Sequence, residues 1–525
     1  MTARGPGHET VYLLEPAADA EALLGGLAAL LPGRLADAPP ERLMVLDTAD
    51  GRLAEHDALL LCSGGGGRAS LRLLRPGQPD EHAGAPRAPD FRRELPAGAL
   101  RDALGPLVEG RRLLPALQVE WRRAEHEVHD AGSKIVARVR LEAGRARPAA
   151  GGGWAPLPAR LAVAPVRGYR AEHAAVVAAV ASRPGLRLAA PHAPPPLLAA
   201  LRAALPPRPP VPGADLGPSL RADEALRRLH RAHLAVLRWN EPGVRADLDS
   251  EFLHDLRVAV RRTRSLLGQF KQVFPEAEVT HFRAELGWLG RLTGPTRDLD
   301  VFCEDVEEQM EADPALAALA PLLACLRARQ RREHAALVEG LDSPRARALL
   351  AGWEAFLARA PEAGRGPAHA KRALAGLAAR RVEKLYRRIV DSGKALGPDA
   401  PADALHGLRI ECKKMRYVLD GTRRLFAAQP AAEVLAALKQ LQSALGQAND
   451  AHVQGGLLQV ALADLAATGT AEPATLLAAG RLAERIAARG AAARADYAPR
   501  FAAFAAEATR ARVRRLARRP RKRAR

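Results

Sequence analysis

The chain has 525 residues, a formal net charge of +20 and a pI near 10.7. This length accommodates two or three domains, and the basic balance predicts an acidic partner: polyphosphate, nucleic acid or an anionic membrane surface. Genomic base bias is an alternative source of part of the charge. The four cysteines are scattered and lack a CxxC spacing, so they suit a reducing compartment and support neither a disulfide framework nor a zinc site.

No apolar run reaches about 18 residues without charges or prolines, so the sequence predicts no membrane span and no membrane partner. The opening segment MTARGPGHETVYLLEP lacks the apolar core of a signal peptide. We therefore expect a cytoplasmic protein. Nothing in the sequence calls for a cofactor or a metal.

Residues 1–190 predict a smaller α+β domain, in which short apolar runs alternate with breaks rich in glycine and proline. Within it, 134–144 alternates like a strand and 172–182 reads as a helix. Residues 191–218 are rich in proline and predict an extended linker. Residues 219–510 predict a mainly α domain.

Two groups of helices follow one another in this second domain. In the first group, helices are predicted at 221–240, 254–270 and 276–291, and from Arg297 to about 340 with a break at Pro314. In the second group, they are predicted at 368–391, 403–427, 431–447 and from 450 onward. The segments 343–357 and 497–508 would close the two groups.

One helical segment occurs twice. Residues 254–270 read HDLRVAVRRTRSLLGQF, and residues 406–422, at an offset of 152, read HGLRIECKKMRYVLDGT. Each copy holds one histidine and four cations at helical spacing. The first set is His254, Arg257, Arg261, Arg262 and Arg264, and the second is His406, Arg409, Lys413, Lys414 and Arg416. Like charges along one helix face repel each other, so the duplicated pattern predicts an anion that offsets the repulsion.

The repeat extends past this helix at the same offset, since Gly294 matches Gly446 and Asp298 matches Asp450. A constant offset indicates two copies of one unit of about 150 residues, at about 219–360 and 366–510. Four helices per unit predict two pseudo-symmetric antiparallel four-helix bundles, packed side by side.

The duplicated histidines and aspartates each allow two interpretations. His254 and His406 either donate to phosphate or pack at a bundle end, and their basic neighbours favour binding. Asp298 and Asp450 are either metal ligands or helix-start residues that orient an arginine. One carboxylate per unit is too few for a hard metal, which favours the second interpretation.

The pattern H-x-x-R-[VI]-x-x-[RK]-[RK]-x-R, present twice and followed each time by G-x-x-x-D-x-x-V, resembles the CHAD (conserved histidine α-helical domain) family over roughly 219–510. The resemblance implies two pseudo-symmetric helical bundles that bind inorganic polyphosphate in a central basic groove, without catalysis. It also implies association with polyphosphate granules. The ten repeated residues would line the groove; further candidates are Arg228, Arg231, Arg380 and Lys384.

The first domain resembles the CYTH, or triphosphate-tunnel, family at 45–61 and 161–173, which implies a β-barrel. Its opening glutamates are reduced to Glu9, and apolar residues and a cysteine at 60–62 replace the basic strand. A tunnel without metal carboxylates cannot hydrolyse phosphoryl groups with a metal, so we expect a degenerate, inactive domain. A CYTH-type inorganic triphosphatase remains the enzymatic alternative.

The last sixteen residues, 510–525, carry ten cations, and 511–525 is predicted to be a disordered tail. This tail would either bind a polyanion or only increase the solubility of the protein. A nucleic-acid-binding protein that uses the basic surface and this tail is therefore the alternative to polyphosphate binding. Against it, aromatic content is 4% and no aromatic residue interleaves the basic stripe, whereas single-stranded nucleic acids need stacking surfaces.

Overall fold

The computed structural model describes residues 9–15, 20–37, 39–65, 68–76, 78–189, 196–360, 366–396 and 401–517. The chain forms two compact units, Met1–Arg208 and Pro209–Arg525.

The first unit is an antiparallel sheet with short helices. Its strands are β1 (Thr10–Leu14), β2 (Gly33–Asp37), β3 (Glu41–Thr48), β4 (Leu59–Gly65), β5 (Arg68–Leu74), β6 (Glu81–Ala85), β7 (Leu113–His129), β8 (Ile135–Pro148), β9 (Ala155–Pro165) and β10 (Leu186–Leu188). Its helices are α1 (Ala20–Leu30), α2 (Arg52–Glu55), α3 (Ala99–Val108), α4 (Arg170–Ala181) and α5 (Pro196–Ala204).

The strands pair in the order β10-β1-β9-β8-β7-β3-β4-β5-β6, and β2 pairs with β7 off this path. The long β7 and β8 form the centre, with Leu117 opposite Pro148 and Val128 opposite Ala137. Three apolar clusters pack helices against the sheet. The first cluster holds α1 and α4, the second holds α3, and the third holds α5. The predicted strand at 134–144 lies in β8 and the predicted helix at 172–182 lies in α4, which confirms the α+β class; this strand-rich sheet is consistent with a CYTH-like domain.

The linker prediction is wrong in part, because 196–204 forms α5. Pro196 takes the first position of this helix, where its missing N–H has no helical partner to lose. Leu197, Leu198 and Leu201 are buried against the sheet of the first unit. The apolar face of LLAAL therefore outweighs the prolines on either side of it.

The second unit is helical. Its helices are α6 (Ala222–Arg245), α7 (Ser250–Gln269), α8 (Glu276–Leu292), α9 (Gly294–Ala312), α10 (Ala320–Asp342), α11 (Pro344–Ala358), α12 (Leu374–Lys394), α13 (Ala402–Thr422), α14 (Ala428–Ala467), α15 (Pro473–Ala505) and α16 (Glu507–Ala517). Short 3-10 turns lie at Pro314–Leu319 and Arg423–Leu425. The predicted mainly α class is confirmed.

Two predicted helix ends are wrong. Helix α6 continues through Pro242 to Arg245, because Gly243 and Val244 are buried and Gly243 lies against the ring of Phe252. Helix α14 runs unbroken from 428 to 467, although a break was predicted after residue 447. In the first repeat the break occurs at Thr293, just before Pro295. The second repeat has Gln447 in place of that proline, so the helical N–H is kept.

A shared core joins the two repeats. Phe302 and Leu326, from α9 and α10 of the first repeat, are fully buried in the same apolar cluster as Leu458 and Leu482, from α14 and α15 of the second. Burial of this size stabilises the pairing of the repeats, since each fully buried Leu or Phe contributes about 2 kcal/mol. The repeats therefore fold as one body and hold α7 and α13 in a fixed relation.

The predicted disordered tail is wrong for 511–517, which lies in α16. Val513 and Leu516 are buried there, while Arg510, Arg514 and Arg515 are exposed. Amphipathic spacing therefore extends the fold into the basic segment, and residues 518–525 lie outside the described part. Among the described residues, no helix is long and apolar enough to cross a membrane.

Candidate functional site

The two repeated helices, α7 and α13, pack against each other. Asp249 caps α7 by accepting hydrogen bonds from the backbone N–H groups of Glu251 and Phe252. Gly421 of α13 lies so close to Leu266 of α7 that an added Cβ would come within 3.4 Å of that side chain. This close approach brings the two basic stripes together.

Four cations form what we term the central basic cluster: Arg257 and Arg261 of α7, with Arg409 and Lys413 of α13. Burial, followed by the charges of Arg409 and Arg261, lowers the pKa of Lys413 to about 8, and Arg257 contributes to the same effect. Burial and the charge of Arg261 likewise lower the pKa of Arg257 to about 10. The cluster thus holds its positive charges under mutual repulsion.

Neighbouring helices hold only part of this cluster. The Arg257 guanidinium donates to the Gly290 carbonyl at 3.2 Å and to the Thr293 hydroxyl at 2.8 Å, at the junction of α8 and α9. Among the described residues, Arg261 and Lys413 form no ion pair. The Nε atoms of Arg257, Arg261 and Arg262 are buried without a hydrogen-bond partner in the described structure. Buried donors of this kind are satisfied in most proteins, and α7 holds three of them within two turns.

In two pairs of counterpart residues, each residue lies close enough to its counterpart in the other repeat for their charges to interact. Lys413 is the counterpart of Arg261, and Asp450 is the counterpart of Asp298. Asp298 is affected by Asp450: burial raises its pKa, Arg257 opposes this, and Asp450 adds to the rise. When each residue faces its own counterpart, the two copies are related by a two-fold arrangement. The central basic cluster therefore lies at the pseudo-symmetry axis.

The aspartates stand among the cations of this site. The Arg409 guanidinium donates to Asp450 Oδ1 at 3.4 Å, which is the arrangement that the arginine-orienting interpretation predicts. Among the described residues, no group of three or more histidines, cysteines and carboxylates is placed to hold a metal ion.

Each repeated histidine contacts the helix that carries the aspartate. The Arg297 guanidinium lies 3.3 Å from Nδ1 of His254, which is half-buried. In the second repeat, Asn449 Oδ1 lies 3.0 Å from Nδ1 of the exposed His406. Arg297 and Asn449 are themselves counterparts, so the contact is duplicated while its chemistry changes.

The remaining predicted cations lie at the flanks of the cluster. Arg262 and Arg416 both contact Asp420 Oδ2, at 3.4 and 3.5 Å, so one carboxylate joins the repeats there. Lys414 donates to Glu411 at 2.6 Å, and Arg264 is exposed. The structure thus brings four of the ten predicted residues together in the central basic cluster. The two histidines and the remaining four cations lie on the same two helices, outside the cluster.

The further candidates divide into two groups. Arg228 pairs with Glu224, and Arg231 donates to the Leu357 carbonyl, so both serve contacts within the first bundle. Arg380 and Lys384 are exposed on α12. The first two are therefore engaged elsewhere, whereas the second two remain accessible to an anion.

Sequence reasoning did not assign Arg297, Asn449 or Asp420 to the site. The constant offset pairs Arg297 with Asn449, and that pairing was the available signal. It was weak, because an arginine and an asparagine share neither charge nor shape. Asp420 has Gly268 as its counterpart, so the repeat gave no signal for it.

In the first unit, Glu9 and Glu142 form ion pairs with arginines. Glu9 lies 3.4 Å from Arg140 and 3.3 Å from Arg160, and Glu142 lies 3.4 Å from Arg160. These carboxylates are paired with arginines, which competes with metal binding and does not fit a metal-loaded tunnel.

Residues 228–459 match the family model described as the CHAD domain. The chain carries a CHAD domain. The match includes α7, α13 and the whole central basic cluster, and the family is associated with polyphosphate-related roles. CHAD domains are generally binding domains without catalysis.

Two curated relatives are uncharacterized proteins of Mycobacterium tuberculosis, from strains CDC 1551 and H37Rv. Each is 29% identical over 263 residues, which cover 47% of this chain and 47% of the relative. The match thus spans about half the length of these relatives.

Two solved structures are also similar. The crystal structure of the CHAD domain from the plant Ricinus communis has 26% identity and a TM-score of 0.45, covering 59% of this chain and 96% of that one. PptA from Streptomyces chartreusis has 18% identity and a TM-score of 0.42, covering 54% of this chain and 99% of that one.

Proposed function

We propose that the CHAD domain binds inorganic polyphosphate at the central basic cluster, as a binding module without catalysis. The observation that carries the proposal is the convergence of Arg257, Arg261, Arg409 and Lys413. Beside it, the Nε–H donors of Arg257, Arg261 and Arg262 are buried without a partner among the described residues. A phosphate chain offers acceptor oxygens and negative charge at short, regular spacing. Guanidinium groups match these oxygens in pairs, and the association weakens as salt rises.

The pseudo-two-fold arrangement supports a chain-like ligand. A linear phosphate polymer presents the same chemistry in both directions, so it fits two equivalent halves equally well. His254 and His406 would contact the chain on either side of the cluster. Arg262, Arg264, Lys414 and Arg416 would contact it further out.

The decisive experiment titrates long-chain polyphosphate against the full chain at fixed salt. The double variant Arg261→Glu/Lys413→Glu should bind at least a hundredfold more weakly, because charge-assisted hydrogen bonds contribute about 1.5–3 kcal/mol each. The matched control Arg331→Glu/Arg347→Glu changes the net charge equally at exposed residues of α10 and α11. Equal weakening in both variants would reduce the effect to net charge and contradict the proposal.

Nucleic acid is the competing ligand, because α16 exposes Arg510, Arg514 and Arg515 on one helix. Competition between polyphosphate and RNA at matched salt separates the two. We expect polyphosphate to displace RNA, and RNA binding to depend on the α16 arginines instead of on Arg261. Dependence of RNA binding on Arg261 and Lys413 would favour the nucleic-acid function.

Catalysis and location have direct tests. We propose that the first unit is inactive, and phosphate release from tripolyphosphate with magnesium or manganese checks this on the full chain. Sustained turnover would make the triphosphatase alternative correct. Association with polyphosphate granules in cells follows from the binding proposal, and the Arg261→Glu/Lys413→Glu variant should lose it.

A further inference from the structure

The two histidines of the site contact partners of different chemistry. Nδ1 of His254 lies 3.3 Å from Nη2 of Arg297. A guanidinium group only donates, because it has no acceptor and keeps its proton at every physiological pH. Nδ1 of His254 therefore accepts, and this atom carries no proton.

In the second repeat the partner accepts instead. Nδ1 of His406 lies 3.0 Å from Oδ1 of Asn449. The orientation of the Asn449 amide is fixed from its other side, where Nδ2 donates to Asp450 Oδ1 at 3.4 Å. A carboxylate only accepts, so the amide nitrogen must face Asp450 and the amide oxygen must face the histidine. Nδ1 of His406 therefore carries a proton.

A neutral imidazole has one protonated and one bare nitrogen. His254, with Nδ1 bare, carries its proton on Nε2 and is a donor at that atom while neutral. His406, with Nδ1 protonated, has a bare Nε2 while neutral, and a phosphate oxygen would meet a lone pair there. Only the imidazolium form of His406 donates from both nitrogens.

We propose that Arg297 and Asn449 are positioning residues that set opposite tautomers in the two halves of the site, so that the His406 half takes up a proton when a phosphate polyanion binds and the His254 half does not. This inference rests on the proposed function. It makes two sites of nearly equal charge differ in whether they take up a proton together with the ligand.

Charged groups of both signs lie on the helices that carry His406 and its partner. Asp403 lies one turn earlier on α13 and Arg409 one turn later, while Asp450 and His452 follow Asn449 on α14. Arg409 also belongs to the central basic cluster. The Asp450 carboxylate links two of these groups, since it accepts from both Asn449 and Arg409. At His254, by contrast, a second ring proton would point at the Arg297 guanidinium.

The tautomers are measured directly on the free protein. Long-range proton–nitrogen correlation spectra of the full chain, labelled with ¹⁵N-histidine, distinguish a bare ring nitrogen from a protonated one. The variants His254→Gln and His406→Gln assign the two signals. We expect a bare Nδ1 in His254 and a bare Nε2 in His406 at a pH where both rings are neutral. A bare Nδ1 in His406 would overturn the inference, and this result does not depend on polyphosphate binding.

Proton uptake is measured by calorimetry of polyphosphate binding in buffers of different ionisation enthalpy. A Lys413→Arg background removes the titration of that lysine. We expect proton uptake to accompany binding and affinity to fall as pH rises. His406→Gln, which offers a neutral amide donor near the Nε2 position, should abolish both effects, whereas His254→Gln should keep both.

Positioning is separated from a structural role by exchanging the counterparts. Asn449→Arg should convert His406 to the tautomer of His254 and remove proton uptake, and Arg297→Asn should introduce uptake in the first half. If the protein binds no polyphosphate at any pH while the tautomers are as stated, the proposed function fails and the tautomer assignment stands. Uptake that is lost equally in both histidine variants would overturn the inference while leaving polyphosphate binding intact.

Discussion

Lys413 and Arg261 occupy the same position in the two repeats, and each lies within the electrostatic reach of the other. Two like charges that meet at a pseudo-symmetry axis destabilise the unliganded protein, since neither forms an ion pair among the described residues. The same relation applies one layer away, where Asp298 and Asp450 affect each other. Duplication therefore placed equivalent cations of the two repeats next to each other.

The lowered pKa of Lys413 predicts a pH-dependent affinity above neutrality. The pKa lies at about 8, so the side chain is charged at pH 7 and loses its proton as pH rises toward 9. A polyanion favours the charged form, and we expect polyphosphate affinity to fall about tenfold across this range. Lys413→Arg should keep its affinity at pH 9, because arginine stays protonated there.

The control for this titration is Lys439→Arg, at an exposed position of α14 outside the cluster. It should show the same fall in affinity as the unmodified chain. Binding curves from pH 7 to pH 9 at constant ionic strength check both variants. A fall that persists in Lys413→Arg would assign the effect to another group.

Arg261→Met tests whether the charge of Arg261 lowers the stability of the protein while it strengthens polyphosphate binding. Methionine keeps much of the apolar stem and removes the charge that repels Lys413 and Arg257, along with a buried Nε that lacks a partner. We expect the unfolding free energy to rise by about 1 kcal/mol while polyphosphate affinity falls at least tenfold. Urea unfolding and binding titrations of the same variant measure the two effects.

The matched control is Arg264→Met, one turn further along α7 at an exposed position. Its charge is solvated, so its removal should leave the unfolding free energy unchanged within about 0.5 kcal/mol. Loss of stability in Arg261→Met would show that the cluster carries no strain in the unliganded protein.

The repeat made most of the helical unit predictable, because a constant offset along the chain is enough to fix which residues are equivalent. It also predicted that cations of the two repeats converge, as Arg257, Arg261, Arg409 and Lys413 do. It could not predict where the copies diverge. The loss of a proline at Gln447 extends α14, and the exchange of Arg297 for Asn449 changes the partner of the repeated histidine.

Tertiary packing explains the other differences. Local composition favoured an extended chain at 196–204 and disorder at 511–517, yet both segments form helices whose leucines or valines are buried. A segment rich in proline or arginine indicates only the local conformational preference of the chain. A few buried apolar side chains decide whether the segment forms a helix. The side-chain contacts of Asp420 depend on the approach of two helices distant in sequence, which no local pattern records.

His230 predicts acid sensitivity of the first bundle. It is fully buried on α6 beside Trp353, neither ring nitrogen has a hydrogen-bond partner among the described residues, and burial lowers its pKa to about 3. The unfolded chain binds a proton near pH 6.5 and the folded chain does not. Stability from this group is therefore complete above pH 6.5 and is lost as pH falls toward 3.

His230→Leu should remove this dependence and raise the unfolding free energy at neutral pH by about 1 kcal/mol. The repeat supports the choice, since the counterpart Val382 is apolar and fully buried. Urea titrations at pH 7 and pH 5 measure the difference, with exposed His281→Gln as the control. An unchanged pH dependence in His230→Leu would assign acid sensitivity to other groups.

Leu516 predicts that α16 belongs to the fold and is more than a basic appendage. It is 3% exposed, and Val513 one turn earlier is 1% exposed. Leu516→Ala should lower the unfolding free energy of the full chain by about 2 kcal/mol, because it leaves a cavity in a packed contact. Arg515→Ala, at the exposed neighbouring position, should leave stability unchanged while reducing any RNA binding.

Deletion from Arg510 onward removes Val513 and Leu516 together with the arginines. Such a deletion would therefore confuse loss of stability with loss of binding. A chain that ends after Ala517 keeps α16 and removes only the basic residues that follow it, so it separates loss of binding from loss of stability. If Leu516→Ala were as stable as the unmodified chain, α16 would contribute nothing to the stability of the fold.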